Sequence, residues 1–108
     1  MDQPADAEAE LSFLTTAEGG RATPARSGYR PACDFKMEDG WNDAILEFMN
    51  QEWASPGETV ATKIHFFSPD LQTGRLYEGF EFTAHEGLKV VARGRITKLL
   101  NDALRKKL

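Results

Sequence analysis

The chain has 108 residues, 41% hydrophobic and 28% charged, with a formal net charge of −4. This composition fits one domain with a modest core and excludes a disordered or fibrous chain. No apolar run approaches the roughly 20 residues a membrane helix needs, and the acidic opening MDQPADAEAE lacks the basic and apolar regions of a signal peptide. Cys33 is the sole cysteine, so no internal disulfide can form, and a cytoplasmic, reducing setting is expected.

Residues 1–7 show no pattern and are expected to form a disordered acidic tail. From Glu8 to Leu14 the chain alternates, with Ala9, Leu11 and Phe13 on one face, which predicts a half-buried strand. Residues 18–31, EGGRATPARSGYRP, follow as a rigid loop. Gly19-Gly20 suits a tight turn, and Pro24 and Pro31 fix φ and bias their neighbours toward extended geometry. Such a loop, displaying Arg21, Arg26 and Arg30, is suited to be a binding surface. A second extended run is expected from Tyr29 to Lys36, ended by the turn Glu38-Asp39-Gly40.

Trp41 to Asn50 fits either a strand, through Ala44, Leu46 and Phe48, or a helical face through Ile45, Phe48 and Met49; its strand-like neighbours favour a strand. Ser55-Pro56-Gly57 reads as a turn. Glu58 to Phe67 alternates Val60, Thr62, Ile64 and Phe66 against polar residues and is rich in β-branched side chains, the clearest strand of the chain. Further strands are expected over Leu76 to Ala84 and Leu88 to Lys98. On the last, period 2 places Lys89, Val91, Arg93 and Arg95 on one outer face. Asn101 is an N-cap for a short helix over 101–108, held by docking of Leu104 and Leu108, with Arg105, Lys106 and Lys107 in its last turn. Some six short strands with regular turns predict an all-β barrel or sandwich.

Charge is unevenly distributed. Residues 34–58 carry seven acids against Lys36 alone, and residues 86–108 carry seven bases against Glu86 and Asp102. A basic stretch of this kind attracts phosphate or an acidic protein face, or is simply a solvated surface.

An ordered series of short motifs resembles the third, C-terminal domain of bacterial translation elongation factor Tu. It runs from about Leu11 to Leu100. It comprises Glu18-Gly19-Gly20-Arg21, Thr23-Pro24, Gly28-Tyr29-Arg30-Pro31, Pro56-Gly57-Glu58, Ile64-His65, Pro69, Gly79-Phe80-Glu81-Phe82, Glu86-Gly87, Gly94 and Lys98. The resemblance implies a closed six-stranded antiparallel Greek-key barrel over residues 8–100. It also implies a surface that, in the factor, meets the GTPase domain, the exchange factor and the T-arm of tRNA. By the same resemblance Arg21 and the Glu86-Gly87 loop match tRNA-contacting positions, while Ala22, Leu88 and Lys89 stand where the family has histidine, glycine and arginine. The turn motif Gly19, Gly20, Thr23, Pro24, Gly28, Tyr29, Arg30 and Pro31 is implied to be structural. The chain has no GxxxxGK[ST] loop, so nucleotide binding of that type is excluded.

Two functions follow as expectations. The first is a non-enzymatic module that docks on a protein partner in or near translation, with surplus aromatics among Trp41, Trp53, Phe66, Phe67, Phe80 and Phe82 forming an exposed patch. The second is binding to the phosphate backbone of tRNA or another RNA through Arg21, Glu86, Gly87, Lys89, Arg93 and Arg95. No cofactor or metal is expected, since Cys33, His65 and His85 share no ligand motif. No catalytic constellation is recognisable, and a small enzyme built on Cys33 is the remote third reading.

Overall fold

The structure, a computed structural model, describes residues 4–107. Strands β1 (Ala7–Phe13), β3 (Ala32–Asp34), β4 (Asn42–Phe48), β6 (Thr59–Phe66), β7 (Glu81–Glu86) and β8 (Lys89–Leu99) close into a six-stranded antiparallel barrel. Its order is β1-β6-β4-β3-β7-β8. Two further strands, β2 (Ala25–Arg26) and β5 (Trp53–Ala54), form a small ribbon beside it.

The barrel follows from alternation. Ala7, Ala9, Leu11 and Phe13 of β1 point inward, as do Ala44, Leu46 and Phe48 of β4 and Val60, Thr62, Ile64 and Phe66 of β6. Antiparallel registers such as Leu11↔Val60 and Leu46↔Ile64 bring like faces together, so one core forms. At its centre Phe35 is fully buried, stacked on Phe82 at 4.5 Å and edge-on to Phe66 at 4.9 Å. Residues 41–50 thus form a strand rather than a helix: Asn42–Phe48 pairs on both sides.

Several boundaries differ from expectation, each for a local reason. Regular pairing in the run from Tyr29 to Lys36 is confined to Ala32–Asp34, because Pro31 has no N–H to donate and Lys36 turns the chain at φ +63°. Tyr29 still joins β4 through a bridge to Leu46. The strand expected from Leu76 begins only at Glu81; Gly79 bends the chain at φ +97° and Leu76 bridges Arg105 instead. Of the tail expected over 1–7, residues 1–3 lie outside the described residues, and Ala7 already belongs to β1. Asp6 is tied in: its carboxylate accepts from the Phe66 N–H at 2.9 Å and from Asn101 Nδ2 at 3.0 Å.

The helix expected over 101–108 is corrected to a single 3-10 turn, Asp102–Leu104. Asn101 does cap it, accepting from the Ala103 N–H. The chain then straightens because backbone partners outside the segment win. The Leu76 N–H donates to Leu104 O at 2.8 Å, and the Lys106 N–H donates to Leu76 O at 2.7 Å. A helix this short cannot compete with them. Leu104 is buried as expected, whereas Leu108 lies outside the described residues.

Candidate interaction surface

The loop from Thr15 to Pro31 is built around a close backbone approach. A Cβ at Gly20 would lie 2.5 Å from Leu14 O, so only glycine fits where the Gly20 N–H donates to Thr15 O at 2.9 Å. Glu18 accepts from the Thr15 N–H and hydroxyl at 2.8 and 2.9 Å, and the backbone bond, then the hydroxyl, holds its carboxyl below the usual range. The chain then presents Arg21, whose guanidinium donates to Glu86 and to the carbonyls of Thr23 and Pro24 and lies 5.0 Å over the Tyr29 ring. The Tyr29 hydroxyl donates to the same Glu86 oxygen. Burial, the largest influence on Glu86, acts to raise its carboxyl, but the bonds from Tyr29 and Arg21 outweigh it and hold it low. For Tyr29, burial and then the bond to Glu86 push the phenol up. Arg21, Tyr29 and Glu86 thus form a clasp between the loop and the β7–β8 turn, where Gly87 takes φ +61°.

The remaining cations separate. A register slip between Ala84 and His85 sets Val91 as an extra, fully buried residue of β8. Lys89 pairs with Glu86, whereas Arg93 pairs with Thr83 and Arg95 with Glu81. Lys89 is therefore out of phase with Arg93 and Arg95, and Val91 is inside; the single outer face expected for these four residues is corrected. A continuous period of 2 cannot run through a bulge. Arg95 lies between Glu81 and Glu10, and Lys98 lies beside Glu8. Only Arg93 has hydroxyl residues, Thr83 and Ser12, as its lateral neighbours. The open recess of about 320 Å³ beside Arg93 also counts Asp34, Lys36, Glu81 and Thr83 in its wall, an even balance of charge.

A different surface is aromatic. His85, Ala32, Asp43 and Phe67 lie side by side across β7, β3, β4 and the end of β6, all on the outer face. The Trp41 ring stacks on His85 at 4.1 Å, and the Arg30 guanidinium lies 4.8 Å over Phe67. Trp41 is 38% and Phe67 49% exposed. Of the aromatics expected to supply a patch, Phe66, Phe80 and Phe82 are buried and Trp41, Trp53 and Phe67 are exposed. Trp53 stands apart on the β2–β5 ribbon, beneath Arg26, which pairs with Glu52 at 2.8 Å. The two-residue ribbon and the Trp41–His85 stack carry no sequence signal beyond the outward parity of Trp41 and Asp43.

His85 is 7% exposed; its Nε2 bonds Thr83 Oγ1 at 2.7 Å, and its Nδ1 has no hydrogen-bond partner among the described residues. His65 bonds Glu47 at 3.0 Å on another part of the sheet. Cys33 is fully buried, and burial, then the charge of Asp43, pushes its thiol up to about 12. Among the described residues no cluster of three His, Cys, Asp or Glu side chains suited to a metal forms. No helix among them is long and apolar enough to cross a membrane. No protein-family model matches the chain.

Proposed function

We propose that this protein is a non-enzymatic binding module, a cytoplasmic barrel of the elongation factor Tu third-domain type with Greek-key connectivity, that docks on a protein partner in or near translation. The observation that carries the reading is the outer row His85–Ala32–Asp43–Phe67, with Trp41 and Arg30 stacked upon its ends. Rigid aromatics exposed on a sheet bury large area on binding at little entropic cost. The likeness to the elongation factor domain is supported by the closed six-stranded barrel and by the loop held closed by Gly20 and Arg21. The protonated, buried Cys33 thiol supports a role without covalent chemistry.

RNA-backbone binding is the second reading, favoured by the exposed Arg93 between Ser12 and Thr83. It has less support because Arg21 is already engaged by Glu86 and Arg95 is flanked by two carboxylates. Photo-crosslinkers at Phe67 and at Ser12, beside Arg93, separate the two readings. Capture of a protein from Phe67 and of nothing from Ser12 is the expected result. RNA captured at Ser12, with tRNA affinity falling by orders of magnitude between roughly 50 and 200 mM salt, would replace the first reading by the second.

A further inference from the structure

The docking face carries a charge as well as a shape. Asp43 stands between the two aromatic ends of the row, and exposed Glu38 and Asp39 lie in the loop that leads into Trp41. Among the described residues none of these three carboxylates is in an ion pair. The acids of β1 are placed otherwise: Glu8 and Glu10 lie against Lys98 and Arg95 of β8. Asp43, Glu38 and Asp39 thus leave unpaired negative charge beside Trp41.

Arg30 on Phe67 is an internal example of what this face accepts, a guanidinium over a ring. Trp41 offers the better platform, and among the described residues no Lys or Arg lies over it. Its inner face is stacked on His85, which holds the ring in place. A fixed indole and three unpaired carboxylates favour the same visitor.

We infer that the partner segment received at Trp41 is cationic: a Lys- or Arg-bearing stretch of a basic protein, with its charged group over the indole and its field met by Glu38, Asp39 and Asp43. The inference rests on the docking reading above and names the chemistry of its partner. Carboxylates on this face repel nucleic acid and acidic proteins.

The test uses the full chain with Trp53→Phe, which leaves Trp41 as the sole indole. It is titrated at low salt with an arginine-rich peptide and with a glutamate-rich peptide of equal length. Trp41 emission is expected to respond to the first alone. Asp43→Asn, and separately the exposed pair Glu38→Gln with Asp39→Asn, should weaken that binding at least about tenfold. No response to the arginine peptide, an equal response to the glutamate peptide, or unchanged affinity in both variants overturns the inference. Emission that depends on protein concentration without peptide assigns the face to a second copy of the chain and overturns it too. The two proposals fail separately. A partner crosslinked at Phe67 while the arginine peptide leaves Trp41 silent removes the cationic partner and keeps the docking face. Peptide binding at Trp41 with no protein captured at Phe67 keeps the cation site and removes the docking reading.

Discussion

Gly94 faces Phe82 across the β7–β8 pair, on the inner side of the barrel. A Cβ built there falls on the Phe82 ring, closer than real Cβ atoms approach. The ring is the far end of a side chain, yet it cannot swing away freely, since it is stacked on the fully buried Phe35 at 4.5 Å. Gly94→Ala is therefore an overpacking substitution, expected to destabilise by about 1–3 kcal/mol. Chemical denaturation checks this, and a Phe82→Leu background should lessen the penalty, because the two sites share one volume. A full penalty in that background would show that the Phe82 ring is not responsible. The inward place of Gly94 is legible from the alternation of Ala92, Gly94 and Ile96. The reason that a glycine stands there is not, because it lies in a ring twelve residues earlier in the chain.

The C-terminal segment shows the same limit for an element. Its N-cap and its anchor, Asn101 and Leu104, are legible from residue type, but its conformation depends on Leu76, which offers it a backbone partner. Strands with one buried and one wet face, β1, β4 and β6, announce themselves by period 2; the ribbon of two-residue strands and the bulge at Val91 do not, since each is defined by its partner. The clasp of Arg21, Tyr29 and Glu86 is a parallel case: all three residues stand out in the sequence, while their meeting across the barrel does not. The segment is also fastened electrostatically. Arg105 donates to both oxygens of Glu78 at 2.8 and 3.1 Å, and this, with further bonds from the Glu78 and Leu99 N–H groups, lowers the Glu78 carboxyl to about 2. A carboxylate depressed in the folded state adds stability that is complete above its unfolded value, about 4.3, and is lost as pH falls toward 2. Melting temperature should thus decline across that acid window, and Glu78→Gln should flatten part of the decline and lower the neutral melting temperature by a matching amount, a small one for a solvent-exposed pair. An acid limb as steep in Glu78→Gln as in the parent would show that other carboxylates set it.

For the whole molecule, closure decides both charge and folding. The acidic start of the chain and its basic last strand look like opposite poles in sequence, yet β1 and β8 are neighbours, so Glu8 and Glu10 lie against Lys98 and Arg95. Carboxylates without an ion pair among the described residues remain beside Trp41, at Asp43 and in the Glu38-Asp39 loop. The same pairing means that the barrel is incomplete until the two ends of the chain meet: Ala7 pairs with Leu99, and Asp6 accepts from the backbone N–H groups of Leu100 and Asn101. A contact of that sequence separation carries its loop-closure entropy before any reward, and barrels made of such contacts fold slowly. Refolding followed by tryptophan fluorescence should take milliseconds to seconds, without the microsecond phase typical of helical bundles. Asp6→Ala, which removes the carboxylate joining the β6 end to Asn101, should speed unfolding more than it slows folding, because the seam between the chain ends closes last. The opposite result, a folding rate that falls by the full loss in stability, would place the seam in the folding nucleus and make closure the first step rather than the last.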